Sequence, residues 1–173
     1  MEFLNPEQAL NQLGIYEGMV CADFGSGSGG WVLPLAKKIK GGRVYAVDIQ
    51  DGPLEVLKTK ANASQLSNIR TVKADLESGV GSSIQNNLLD LVLMTNLLFQ
   101  LVNKQRVISE ANRVLRPGGR LLVVDWKSEA NIGPQEGKIA PEEVKSICQD
   151  TGFDLEKEIV AGAYHYGLVF QKK

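Results

Sequence analysis

Apolar positions along this chain alternate between two textures. Short, nearly unbroken apolar runs occupy residues 19–24, 43–47, 69–74, 88–94 and 120–124. Between them the spacing widens to three or four residues, as in Val32, Leu35, Ala36 and Ile39, or Leu54, Leu57 and Ala61, or Val107, Ile108, Ala111, Val114 and Leu115. An unbroken run of this length predicts a strand buried on both faces, and the wider period predicts a helix with one apolar stripe. The pattern is therefore β-α-β-α-β, a loop, β-α-β, with a parallel sheet between two layers of helices. A leading helix over residues 6–13 is expected from Asn5 as N-cap, Pro6 at its first position and Gly14 as its stop. A last helix opens at Pro141 with Glu142 and Glu143 in its first turn and stops at Gly152. Two strands follow, residues 155–160 and about 165–171, joined through Ala161-Gly162-Ala163 and so antiparallel to each other.

The punctuation adds smaller expectations. Asp51 reads as the N-cap of the third helix, and Pro34 has to sit in the first turn of the second. Arg116-Pro117-Gly118-Gly119 reads as a type II turn, and residues 77–87 as a polar loop with room for one helical turn.

Composition narrows the class. With 173 residues, 43% hydrophobic and 23% charged, the chain suits one globular domain, 1–173, in which residues 1–18 form the N-terminal helix and lead-in. A net charge of -1 gives no overall attraction to nucleic acid or to an anionic membrane. No apolar stretch is long enough to cross a bilayer, the first residues do not resemble a leader, and a cytoplasmic location is the expectation. Cys21 and Cys148 lie far apart inside apolar segments and read as core residues. One histidine, His165, rules out a multi-histidine metal centre, and no metal is expected. Oligomeric state leaves no mark on the sequence.

The chemistry gathers at the ends of the predicted strands. Val20-Cys21-Ala22-Asp23-Phe24 empties into Gly25-Ser26-Gly27-Ser28-Gly29-Gly30, a turn whose backbone can approach a ligand closely and which opens a helix. Gly25, Gly27 and Gly30 fit a dinucleotide turn, whereas Gly25, Gly27 and Gly29 fit the G-x-G-x-G turn of S-adenosylmethionine enzymes. One β-α-β step later the second strand ends at Asp48, placed to accept hydrogen bonds from both hydroxyls of a ribose. The third ends at Asp75, for which a loop or cap role is equally available, and the fourth at Thr95-Asn96. Asp23 is an acid inside an apolar strand, expensive to bury without a partner, which favours a functional role.

Taken in order, V-C-A-D-F-G-S-G-S-G, V-Y-A-V-D, A-D, L-D-L-V-L-M-T-N and L-R-P-G-G-R-L-L-V-V-D resemble the class I S-adenosylmethionine-dependent methyltransferases over nearly the whole chain. In particular the chain resembles small enzymes related to the ubiquinone and menaquinone C-methyltransferases. The resemblance implies a three-layer, Rossmann-like α/β sandwich with a mostly parallel seven-stranded sheet, order 3-2-1-4-5-7-6, whose last strand is antiparallel. It implies S-adenosylmethionine as cofactor and S-adenosylhomocysteine as product. By position, Gly25 and Gly27 would approach the methionine part with Asp23 near its amino end, and Asp48 would hold the ribose. Ile49 would lie on one adenine face, Asp75 and the Leu76 backbone would take its polar edge, and Asn96 would sit beside the methyl-transfer channel. With Asp23 ahead of the turn and a closing hairpin, the glycine register ending at Gly29 is the better choice.

A sulfonium-bound methyl group is already activated, so such an enzyme mainly orients its acceptor, and no catalytic triad is needed. The N-P-P-Y signature is missing, since Leu97-Leu98-Phe99 follows Asn96, and so is a Pro-Cys nucleophile. Two cysteines, both read as core residues, disfavour arsenic as acceptor. If the last strand is antiparallel, Tyr164 and His165 share a sheet edge with Asn96 and Trp126, so Tyr164, His165 and Asn96 are the catalytic candidates. His165 would be the base, with a structural role as its alternative. The first reading is methyl transfer to a small-molecule acceptor. The alternatives are a protein or RNA acceptor, an NAD-type nucleotide-binding protein, and an inactive scaffold.

Overall fold

The computed structural model describes residues 3–173, and its sheet has seven strands in the order β3-β2-β1-β4-β5-β7-β6. The elements run α1 (Pro6–Asn11), β1 (Val20–Phe24), α2 (Val32–Lys38), β2 (Arg43–Asp48), α3 (Asp51–Ala63), β3 (Ile69–Lys73) and β4 (Leu89–Thr95). They continue with a 3₁₀ turn (Leu98–Gln100), α4 (Lys104–Val114), β5 (Leu115–Trp126), α5 (Pro141–Asp150), β6 (Phe153–Ile159) and β7 (His165–Lys172). The first five strands in chain order pair parallel, and β7 pairs antiparallel with both β5 and β6.

Each central strand feeds two cores because its side chains alternate between faces. Cys21, Leu91, Leu93, Leu122 and Val124 join α1, α2 and Leu57 of α3 on one face. Ala22, Phe24, Val92, Met94, Leu121 and Val123 join α4 and α5 on the other. Both cysteines are buried and free, as their apolar surroundings imply. Asp23 shares the face of Cys21, because it stands two residues along the same strand.

Several local expectations are corrected. α3 is capped at Gln50, with no side-chain bond, and Asp51 is its first helical residue. The side chain of Asp51 instead meets Lys73. Gly118 has the left-handed φ of +75° that the expected turn needs, but the whole Arg116–Gly119 stretch belongs to β5. Pairing jumps from Leu89↔Leu115 to Leu91↔Arg120, so the extra residues bulge out of the ladder. Leu115 opens β5 and does not close α4. Residues 77–87 contain no helical turn; that turn follows Asn96 instead. α1 ends at Asn11, and β6 begins earlier than expected, at Phe153.

Candidate cofactor site at the carboxyl edge of the sheet

The glycine turn, the end of β2 and the segment after β4 meet at the crossing point between β1 and β4, where the connections leave in opposite directions. An open α/β sheet forms its ligand crevice there. A cavity of about 380 Å³ lies at this point, and Gly25, Gly27, Asp48, Ile49, Asp75 and Leu76 are on its wall. Those are six of the eight positions expected to hold a cofactor. Gln50, Leu97, Gln100 and Leu101 also line it and were not anticipated.

Asp48 is held from two sides: its Oδ2 accepts from the Gly27 amide at 2.8 Å and its Oδ1 from the Gln50 amide at 3.0 Å. Two backbone donors fix the carboxylate plane and leave each oxygen a lone pair for a further donor. Asp75 has the loop role considered for it and also stands on the cavity wall. Its Oδ1 accepts from the Glu77 amide at 2.9 Å, closing a local turn, while the residue lines the cavity. Ile49 stands 57% exposed beside Asp48, an apolar platform on the cavity wall.

The glycine register is decided by space. Gly29 has φ +92°, and a Cβ there would fall 2.3 Å from Leu57 Cδ1. Gly30 has no left-handed φ and open space where its Cβ would be. The turn therefore needs Gly25, Gly27 and Gly29, all at positive φ, and has no use for a glycine at 30.

Asp23 and Asn96, the two expected positions that do not line the cavity, and Ser26 each hold a buried polar atom with no hydrogen-bond partner among the described residues: Asp23 Oδ1, Ser26 Oγ and Asn96 Oδ1. Buried polar atoms are normally satisfied, so a cluster of orphans marks where a ligand's polar groups belong. Asp23 is 1% exposed, and burial, then the neighbouring Asp48 charge, push its carboxyl up to about 8. Ser26 was missed in the sequence, although a small polar residue between two obligatory glycines was the available signal. Asn96 sits in the left-handed region at φ +51° and continues the ladder by donating its amide to Val124 O.

Tyr164 and His165 are on another part of the same edge and do not line this cavity. His165 is the register partner of Trp126, with ring centroids 4.0 Å apart, and the Tyr164 ring lies 5.8 Å from that of Phe3. His165 is 7% exposed with its Nε2 unpartnered. Burial, with the nearby Lys127 charge, lowers its pKa and keeps the imidazole neutral. No group of three or more potential metal ligands occurs among the described residues. Nor is any helix among them long and apolar enough to cross a membrane.

Known proteins share this arrangement. A family model described as "Methyltransferase domain" matches residues 22–123. The ubiquinone/menaquinone biosynthesis C-methyltransferase UbiE of Hydrogenovibrio crunogenus is 28% identical over 152 residues, covering 80% of this chain and 59% of that protein. The demethylmenaquinone methyltransferase of a Geobacillus species is 23% identical, covering 73% of this chain and 53% of its own length. The chain thus spans between half and three-fifths of these curated relatives. Among solved structures, a SAM-dependent methyltransferase from Aquifex aeolicus superposes with a TM-score of 0.89 at 28% identity, covering 99% of this chain and 91% of that one. Sheet order, glycine register and acids at the strand ends agree with the match over more than half of the sequence: the chain belongs to the methyltransferase domain family, with the class I S-adenosylmethionine-dependent architecture.

Proposed function

We propose that this chain binds S-adenosylmethionine in the crevice between β1 and β4 and transfers its methyl group to a small-molecule acceptor. The carrying observation is the Asp48 carboxylate, pinned by the Gly27 and Gln50 amides on the cavity wall with a free lone pair on each oxygen. The cofactor's groups suit what surrounds it. Its ribose diol matches Asp48, its adenine matches the Ile49 platform with Asp75 and Leu76 at the polar edge, and its amino acid end matches the orphans of Asp23, Ser26 and Asn96. A pyrophosphate fits poorly, because the half-buried Asp48 carboxylate, bonded to the Gly27 amide of the turn, would repel it.

The cofactor supplies a methyl group already activated by its sulfonium. The chain's contribution is placement. Asp48 fixes one end, Asp23 offers a buried carboxyl to hydrogen-bond the other, and the apolar wall of Leu97 and Leu101 keeps water out. For the acceptor, the relatives are named for quinone biosynthesis, and a flat ring suits the aromatic group of Trp126, His165, Tyr164 and Phe3. The neutral His165, with its unpartnered Nε2, would accept the proton of an acceptor hydroxyl. The reading takes the chain as one domain.

Calorimetric titration with S-adenosylhomocysteine and, separately, with NAD tests the first claim. Binding of the former alone is expected, and binding of NAD alone would overturn it. Transfer of a radiolabelled methyl group to a hydroquinone panel tests the second. His165→Ala turning over the accepted substrate as fast as the wild type would remove the base.

A further inference from the structure

Asp125 is the last residue but one of β5, fully buried, and does not itself line the cavity. Its carboxylate reaches across to the segment that leaves β4. Oδ2 accepts from the Leu98 amide at 2.9 Å, the Phe99 amide also bonds to it, and Oδ1 accepts from its neighbour Trp126 at 2.8 Å. Leu98 and Phe99 open the 3₁₀ turn, whose own N-cap, Leu97, contributes no side-chain bond. The first amides of a helical turn have no partner within it, and Leu98 is wholly buried, so water cannot supply one. Asp125 is the cap that the local sequence fails to provide.

That cap governs where the cavity wall stands. Between Asn96, at left-handed φ, and the capped turn lies Leu97, whose side chain packs so close over the glycine turn that a Cβ on Gly25 would fall 2.8 Å from its Cδ1. Gln100, on the turn itself, donates to Asn96 O at 2.7 Å, and both Leu97 and Gln100 line the cavity. We propose that Asp125 is a positioning residue for the cofactor, acting through Leu97 and Gln100 by capping the turn that carries them. This rests on the reading of the crevice as the S-adenosylmethionine site.

The test compares Asp125→Asn with Tyr166→Phe. Asparagine keeps the size but loses one acceptor and turns a donor toward amides that are themselves donors. Tyr166 is the register partner of Asp125 on β7, and its hydroxyl donates to Ile139 O at 3.1 Å, so Tyr166→Phe removes a buried polar contact nearby without touching the turn. Affinity for S-adenosylhomocysteine, measured calorimetrically, is expected to fall at least 10-fold in Asp125→Asn and to stay within twofold in Tyr166→Phe. Hydrogen exchange without ligand is expected to speed up at the Leu98 and Phe99 amides in Asp125→Asn, with the β6 amides unchanged. Equal losses in the two variants, or wild-type affinity in Asp125→Asn, would overturn the positioning role alone. A wild-type protein that does not bind S-adenosylhomocysteine would overturn the site reading with it. If Asp125→Asn does not fold, the wild type decides: Leu98 and Phe99 amides exchanging as fast as exposed loop amides would overturn the inference.

Discussion

The sheet carries an aspartate inside a strand at each of its two edges, and the two are treated in opposite ways. At the amino edge, Asp90 of β4 is fully used: Oδ2 accepts from the Val20 amide at 2.7 Å and Oδ1 pairs with Arg116 at 2.8 Å, with the Tyr16 hydroxyl alongside. At the carboxyl edge, Asp23 of β1 is more deeply buried and, among the described residues, has no cation beside it and leaves Oδ1 without a partner. The same side chain is a rivet in one place and an unmet demand in the other. A buried acid that helps the fold finds its partners in the fold, and one kept without them points to a partner from outside.

The largest effect that sharpens this contrast is expected at Asp48, whose two free lone pairs serve only a ligand. Asp48→Ala removes two charge-assisted bonds, roughly 2–4 kcal/mol, and should weaken S-adenosylhomocysteine on the order of 30- to 1000-fold in a calorimetric titration. Unchanged affinity would break the assignment of the ribose.

Next comes Asp23. Its folded pKa, about 8, lies above its ordinary value of 3.8, so the folded state holds a proton that the unfolded state releases. Stability from this group is intact below pH 3.8, declines as pH rises through 8, and is constant beyond. Asp23→Asn should therefore melt above the wild type by a margin that widens from about pH 4 to pH 8. The same variant should bind S-adenosylhomocysteine more weakly. A margin that shrinks over that range, or affinity that survives, would place Asp23 with Asp90 as a structural acid.

Asp90→Asn is expected to do the reverse: a loss of about 1–2 kcal/mol in urea unfolding with cofactor affinity untouched. The smallest effect belongs to Arg116→Ala. Its guanidinium is about half exposed, so solvent screening limits the loss to roughly 0–1 kcal/mol. A larger loss than at Asp90 would invert the comparison.

The strands were readable because a parallel sheet needs unbroken apolar runs, and their order came from the resemblance of the ordered motifs to the class I methyltransferases. Asp48 and Asp75 stand on the cavity wall and the glycines at left-handed φ as their place at the strand ends implied, because those positions depend on the backbone within a few residues of them. What escaped depends on distance. The 3₁₀ turn after Asn96 exists because Asp125, far along the chain, caps it, and no local pattern in Leu97-Leu98-Phe99 announces that. Leu97 and Gln100 enter the site by the same route. The bulge in β5 escaped for a related reason: Pro117-Gly118 has turn chemistry, and only pairing with Leu89 absorbs it into a strand. Asp51 was read as a cap on residue type alone, while Lys73 of the adjoining strand draws its carboxylate elsewhere.

One feature of the topology sets the order of events during synthesis. β7 is made after every other strand, yet it lies between β5 and β6. Until it emerges, β6 has no neighbour and β5 offers a bare, apolar flank to whatever meets it first. Lys172, at the end of β7, then locks the close of α4 by donating to Asn112 O at 2.6 Å and Leu115 O at 2.7 Å. The fold is thus shut by the strand that arrives last, and a ribosome stalled before Tyr164 would hold a nascent sheet with an open, adhesive seam.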